Sequence, residues 1–187
     1  MNDASTQSNL YVIAAPSGAG KTTIVKRLVE NNPDLRFSIS YTTREQRRTE
    51  EDGVDYLFVD KDAFVDLQER SALLESAEVF DNHYGTSRRQ VEDHLANGHN
   101  VILEIDWQGA RQVRESMPEC ITIFILPPSV DELARRLRDR RTDSPEVIER
   151  RLRDAKDDME HRDEFTHVII NDDLDQAVAE LEAIIKP

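Results

Sequence analysis

Apolar residues follow two rhythms along the chain. Leu10-Tyr11-Val12-Ile13-Ala14, Val101-Ile102-Leu103-Glu104-Ile105-Asp106 and Ile121-Thr122-Ile123-Phe124-Ile125-Leu126 are nearly continuous apolar runs of strand length. Runs that leave no polar face for water predict the interior strands of a parallel sheet. Val168-Ile169-Ile170-Asn171 predicts a last strand. Helical spacing lies between the runs. Ile24, Val25, Leu28 and Val29 share a face before Asn31-Asn32-Pro33 stops the helix, and Leu174, Ala177, Val178, Leu181, Ile184 and Ile185 share another. Pro127-Pro128 ends a strand, a helix follows from about Val130, and Ser144-Pro145 opens the next with a serine cap and an early proline. The middle of the chain is less regular. Phe37-Ser38-Ile39-Ser40 and Tyr56-Leu57-Phe58-Val59 read as strands, and Phe64 and Leu67 mark the apolar side of a helix. Leu73-Leu74-Glu75 and Glu78-Val79-Phe80 read as short extended pieces and Asn82 to Thr86 as a turn. Ser87 then caps a helix that runs to Ala96 and ends at Asn97-Gly98. Strands that alternate with helices predict an α/β fold with a mostly parallel sheet covered on both faces.

Composition narrows the class. The 187 residues suffice for one domain with a core, and 33% charged against 38% hydrophobic residues fits a water-exposed surface. A net charge of −14 opposes non-specific binding to nucleic acid or to an anionic membrane, so an anionic ligand needs a local basic site. Cys120 has no partner for an internal disulfide, the first nine residues lack a signal pattern, and no apolar run approaches bilayer length. The expectation is a cytoplasmic protein.

One stretch turns this scaffold into chemistry. Ala15-Pro16-Ser17-Gly18-Ala19-Gly20-Lys21-Thr22 lies between a predicted strand and a predicted helix. Gly18 and Gly20 allow the backbone to curl so that successive N–H groups face an anion, and the helix beginning near Lys21 adds the positive end of its dipole. The Lys21 ammonium can reach the outer phosphates of a nucleotide, and the Thr22 hydroxyl can ligate its Mg2+. Ala15 stands where the pattern usually opens with glycine; a Gly-rich turn is the plainer alternative. The acids of the 101–106 run lie near its C-terminal end, where open α/β sheets bind ligands.

A second signal lies between residues 135 and 153. Arg135, Arg136, Arg138, Arg140, Arg141, Arg150, Arg151 and Arg153 face only four acids there, Asp139, Asp143, Glu146 and Glu149. A solvated helical hairpin laced with ion pairs is one reading. A mobile lid whose arginines close on transferring phosphates is the other.

With these residues in view, the chain resembles the guanylate kinase family from about Tyr11 to Lys186. Residues 15–21 match that family's version of the phosphate loop, in which alanine can replace the first glycine. Ser40-Tyr41-Thr42-Thr43-Arg44 looks like its substrate-phosphate segment. Tyr84-Gly85-Thr86, Asp106-Trp107-Gln108-Gly109, Ile125-Leu126-Pro127-Pro128-Ser129 and Asn171-Asp172-Asp173 are similar too. The resemblance implies a P-loop kinase fold, with a mostly parallel five-stranded central sheet flanked by helices, an inserted small mixed α/β GMP-binding lobe and a helical arginine-rich lid. Residues 1–187 then form a single domain: core about 8–37, 90–127 and 160–187, lobe about 38–89, lid about 128–159.

The activity implied is ATP-dependent phosphorylation of GMP to GDP, with Mg2+ held by Thr22, ATP phosphates and water. The resemblance makes ATP ligands of Ala15, Pro16, Ser17, Gly18, Ala19, Gly20, Lys21, Thr22 and Asn171, the last beside adenine. It puts Ser40, Arg44, Arg47, Tyr56, Glu75, Tyr84, Thr86 and Asp106 in the GMP site. Arg44, Arg47, Tyr56 and Tyr84 take the phosphate, and Ser40, Glu75 and Thr86 read guanine. Lys21 and Arg44 with the lid residues Arg136, Arg140 and Arg151 form the catalytic set. Two alternatives share the scaffold: a ribose-bisphosphate kinase, which has no use for a guanine-reading set, and a non-catalytic module that binds phosphorylated peptides. The chain departs from the family at Glu104, where Asp is more common, and at Glu45-Gln46 and Arg48-Thr49, where a proline and a glycine are missing.

Overall fold

The structure, a computed structural model, describes residues 8–79, 81–139 and 144–185. Five parallel strands form the main sheet in the order β2-β7-β1-β8-β9: β1 (Leu10–Ala14), β2 (Leu35–Phe37), β7 (Asn100–Glu104), β8 (Ile121–Leu126) and β9 (His167–Ile170). The three continuous apolar runs are β1, β7 and β8, the interior strands, as their lack of a polar face requires. Order reverses beside β1, so the loop that leaves its C-terminal end lies at a topological switch point.

Contacts divide the described residues into two compact units. One comprises the described residues within 11–33, 104–107 and 121–185. In it β1 pairs with β8 from Tyr11↔Ile121 to Ala14↔Phe124, and β8 with β9 from Ile123↔His167 to Leu126↔Ile170. Helix α1 (Lys21–Asn31) buries Ile24, Val25 and Leu28, and α7 (Leu174–Ile185) buries Ala177, Val178, Leu181 and Ile185. Arg27 and Asp175 join these two helices by an ion pair. Helices α5 (Val130–Asp139) and α6 (Pro145–Glu160) pack through Leu133, Leu137 and Ala155, with Ile148 and Leu152 against them. Ser144 caps α6 by accepting from Val147 N, and Pro145 opens it, as the sequence indicates. A 3-10 turn, His161–Glu164, follows α6.

The other unit comprises the described residues within 8–10, 34–103 and 108–120. It carries a mixed four-stranded sheet in the order β4-β3-β6-β5, from β3 (Ser40–Thr42), β4 (Leu57–Phe58), β5 (Leu73–Val79) and β6 (Asn82–Ser87). Here the sequence expectation needs correction. Asn82 to Thr86 is a strand, not a turn; the hairpin bend lies before it, where Asp81 takes φ 64°. Residues 73–79 form one strand rather than two pieces. Phe37–Ser40 straddles the end of β2 and the start of β3: Ser38 N still donates to Ile102 O, but its hydroxyl and Ile39 N turn to Gln90 Oε1. Phe80, assigned to a strand by its pattern, lies outside the described residues.

Two more helices belong to this sheet's surroundings, α2 (Lys61–Glu69), capped by Asp60, and α3 (Arg88–Ala96), capped by Ser87. A helix α4, Trp107–Ser116, follows β7 and was not visible in the pattern: only Gly109, Ala110 and Val113 are buried on it. Among the described residues no helix is long and apolar enough to cross a membrane.

Gly85 shows how tightly α2 meets the mixed sheet. A Cβ at Gly85 would lie 2.9 Å from Leu73 Cδ1, 3.1 Å from Glu75 O and 3.2 Å from Phe64 Cζ. Gly85→Ala is therefore expected to cost about 1–3 kcal/mol through overpacking. Urea unfolding of the two proteins checks this; an unchanged midpoint would show that Leu73 and Phe64 yield freely.

Candidate functional site

The first cluster grows from the end of β1. Ala19 N donates to Pro16 O at 3.1 Å, and Gly18 and Gly20 both take φ 94°, the left-handed region that glycine enters without strain. Neither can gain a side chain: a Cβ on Gly18 would meet Leu137 Cδ2 at 2.9 Å, and one on Gly20 would meet Asn171 Nδ2 at 2.5 Å. Asn171, 6% exposed, donates its side-chain amide to Ala19 O at 2.7 Å. Arg136 reaches the same loop, with Nη2 3.1 Å from Asn171 O and Nη1 3.5 Å from Ala19 O. Its Nε donates to Glu132 Oε1 at 2.8 Å. Hydrogen bonds from Arg135 and Arg136 hold the Glu132 carboxyl down at about 2.

Lys21 and Thr22 begin α1 and turn toward the segment that follows β7. Lys21 Nζ donates to Ile105 O at 2.6 Å, and Thr22 Oγ1 donates to Glu104 Oε1 at 2.5 Å. Ile105 N donates to Ile13 O at 3.1 Å, which fixes this segment beside β1. A hydroxyl and a carboxylate in contact form a hard-oxygen donor pair of the kind Mg2+ takes. Glutamate is one methylene longer than the expected aspartate, and it still meets Thr22. Among the described residues no three His, Cys, Asp or Glu side chains gather into a metal cage. The pair thus suits an ion that draws its other ligands from phosphate and water.

Beyond Asp106, Trp107 Nε1 donates to Asp158 Oδ1 at 3.1 Å, and the indole stacks on His161. Burial pushes the Asp158 carboxyl up to about 6; Asp106 and Asp154 add to the rise, while the Trp107 hydrogen bond and Lys21 oppose it. Arg151 lies half-buried on α6. Arg140 and its neighbour Arg141 lie outside the described residues.

The second cluster is built on the mixed sheet. Register sets Ser40 opposite Thr86 and Thr86 opposite Glu75, so three polar side chains form one row across β3, β6 and β5. Thr86 Oγ1 donates to Glu75 Oε1 at 2.7 Å, with Glu75 4% and Thr86 1% exposed. Thr42 and Tyr84 form the next row on the same face. The Tyr84 ring meets Tyr56 edge-on at 6.0 Å between centroids, and the Arg44 guanidinium lies 5.4 Å from the Tyr56 ring centroid.

Arg44 is held by a residue that motif reading passed over. Glu50 takes its fork with both oxygens, Nη2 to Oε1 at 2.8 Å and Nη1 to Oε2 at 3.1 Å. Glu50 Oε2 also accepts from Arg47 N at 2.9 Å. Burial alone would lower the Arg44 pKa, yet hydrogen bonding with Glu50 and Tyr84 raises it above the ordinary arginine value. Burial would likewise raise Glu50, but Arg44 and the Arg47 N–H hold it below the usual carboxylate range. The Arg47 side chain is exposed, with Nη1 3.8 Å from Glu50. The structure thus gathers Ser40, Arg44, Tyr56, Glu75, Tyr84 and Thr86 in one unit, and Lys21, Thr22, Asp106, Arg136 and Asn171 in the other. Asp106, grouped by resemblance with the first set, belongs to the second unit. Glu50, Asp158 and His161 were missed. Their spacing from Arg44 and Trp107 carries no pattern, since the contacts depend on a loop turn and on the end of a helix.

The family model described as guanylate kinase matches residues 7–187. A guanylate kinase of Alkalilimnicola ehrlichii is 55% identical over 175 residues, 94% of this chain and 86% of its own. One of Hydrogenovibrio crunogenus is 53% identical over 176 residues, with the same two shares. The crystal structure of guanylate kinase from Anaplasma phagocytophilum is 34% identical, covers 97% of this chain and 86% of its own, and superposes with a TM-score of 0.82.

The raised Asp158 pKa makes a stability prediction. An unfolded aspartate loses its proton near 3.8, whereas folded Asp158 keeps it to about 6. Across that window the folded chain binds more protons than the unfolded one, so this group's contribution falls as pH rises and stays low above pH 6. Asp158→Asn has no charge to bury and still offers Trp107 an oxygen. It is expected to raise the urea midpoint at pH 7.5, with the gain shrinking by pH 4.5. A difference that does not change with pH would contradict the assignment.

Proposed function

The chain belongs to the guanylate kinase family, an enzyme family that phosphorylates GMP to GDP with ATP, and we propose that its two clusters divide that reaction between donor and acceptor. The donor cluster takes ATP. Ala15 to Thr22 wrap the phosphates, Lys21 faces the outer ones, and Asn171 lies beside adenine while its side chain braces the loop. Thr22 and Glu104 would hold Mg2+, which would supply positive charge to offset that of the phosphates. The acceptor cluster takes GMP. Arg44, Arg47, Tyr56 and Tyr84 hold its phosphate, and Ser40, Glu75 and Thr86 its base.

An oxygen of the GMP phosphate attacks the terminal phosphorus of ATP. One P–O bond forms, the bond to the bridging oxygen breaks, and ADP departs with that oxygen. The nucleophile is already anionic, so no strong base is needed, and the work is alignment and charge stabilisation. Lys21 with the lid arginines Arg136, Arg140 and Arg151 compensates charge on the transferring group. Lid closure keeps water from accepting it. The nucleotide substrates and the lone Cys120 support a cytoplasmic setting.

The observation that carries this reading is the row Ser40–Thr86–Glu75, in which Thr86 and Glu75 are buried. A ribose-bisphosphate kinase has no use for it, and a phosphopeptide module has no use for Lys21. Guanine presents two adjacent N–H donors and the O6 acceptor; adenine presents a lone pair at N1. The Glu75 carboxylate accepts from the first and repels the second, while hydroxyls serve O6 or N7. A site built on buried hydrogen-bonding groups rejects the mismatched base because its groups are left unpaired.

Turnover of GMP and AMP at fixed ATP tests it. Wild type is expected to prefer GMP strongly, and Glu75→Gln to weaken GMP use by about 1–3 kcal/mol while ATP binding holds. Equal use of AMP by wild type, or undiminished GMP use by the variant, would overturn the guanine-reading role.

A further inference from the structure

Trp107, the one tryptophan of the chain, is gripped twice by the end of α6. Its Nε1 donates to Asp158 Oδ1 at 3.1 Å, and its ring lies against the His161 imidazole, centroids 3.5 Å apart and planes 13° apart. His161 Nδ1 is in turn 2.8 Å from Glu164 Oε1, which orients the imidazole. Closing the α5–α6 pair needs none of this, because Leu133, Leu137 and Ala155 already form its core. A carboxylate is also a costly choice for a purely structural bond, since an amide oxygen accepts the same N–H without a charge to bury.

The other side of Trp107 leads to the donor cluster. Two residues before it, Ile105 O takes the Lys21 ammonium at 2.6 Å. On α6, Asp158 and Arg151 are seven residues apart, two helical turns, and therefore share one stripe about 10 Å long. In the same helical pair, Leu133 and Leu137 of α5 lie against Gly18, and Arg136 reaches Ala19 O. The pair thus touches both the phosphate loop and the Ile105–Trp107 segment.

We infer that Asp158 and His161 are positioning residues for phosphoryl transfer: by clasping Trp107 they fix the Ile105 carbonyl against which Lys21 is set, and tie it to the seating of the helix that carries Arg151. The inference rests on the kinase reading above. The clasp acts through the backbone and touches no substrate itself; its loss shifts Lys21, whose charge is needed most in the transition state. Turnover falls while substrate affinity holds.

The test uses Asp158→Ala, Asp158→Asn and Trp107→Phe in the full chain, with kcat and both KM values measured alongside the emission of Trp107. Asp158→Ala is expected to shift the emission and to lower kcat by about 10- to 100-fold, the range for a misplaced catalytic group, with KM for ATP and GMP within about twofold. Asp158→Asn retains the acceptor and is expected to recover most of the lost turnover. Trp107→Phe keeps a ring for His161 to stack on but has no Nε1–H, and it too is expected to lower kcat. Should Asp158→Ala fail to fold, Trp107→Phe decides alone. Unchanged kcat in a folded Asp158→Ala whose emission has shifted, or in Trp107→Phe, overturns the clasp's role. So does a change confined to KM. Should wild type leave GMP untouched, the kinase reading falls separately, and the same kcat ratios are read on ATP hydrolysis.

Discussion

A loop that offers its N–H groups to an anion turns its carbonyls the other way, and those carbonyls still need partners. The rest of the donor cluster follows from that requirement. The Ala19 carbonyl is met from behind by the buried amide of Asn171 and approached by Arg136. Asn171 N donates to Leu126 O at 2.8 Å, so the end of β8 fixes the brace. The brace leaves no room for a Cβ on Gly20, and the Leu133–Leu137 pair leaves none on Gly18. The two glycines answer a left-handed backbone and a packing limit at once.

The acceptor cluster solves a different problem, the placement of a buried carboxylate. Strand register does it: three residues far apart in sequence, Ser40, Glu75 and Thr86, form one row because β3 and β5 both pair with β6. Desolvation penalises the Glu75 charge, and the Thr86 hydroxyl at 2.7 Å offsets part of that cost before any base arrives. Arg44 is treated in the same way. The Arg44 fork is held by Glu50, and its guanidinium carbon lies over the Tyr56 ring. Side chains aligned before binding lose less freedom when the ligand comes.

Much of this was legible in the sequence. Interior strands announce themselves because a parallel sheet lets no polar face survive, and β1, β7 and β8 are such runs. The phosphate loop is local chemistry, complete within eight residues. The row Ser40–Thr86–Glu75 came from resemblance, since a register across three strands leaves no mark on local periodicity. The strand 82–87 was misread because Asn82, His83 and Gly85 look like turn residues; the hairpin partner overrides that preference. Helix α4 escaped because two glutamines, two arginines and a glycine among its first eight residues dilute its apolar stripe. Glu50, Asp158 and His161 escaped because their roles are tertiary.

The central claim is that the loop and Lys21 stabilise a phosphoryl group in transfer. Its most direct test is the movement of labelled terminal phosphate from ATP to GMP by wild type and by Lys21→Ala, with circular dichroism confirming that both are folded. The account predicts labelled GDP from wild type and a rate lower by about 10²–10³-fold in the variant, the loss typical of removing one charge-stabilising group. A folded Lys21→Ala that transfers the label at the wild-type rate would contradict it.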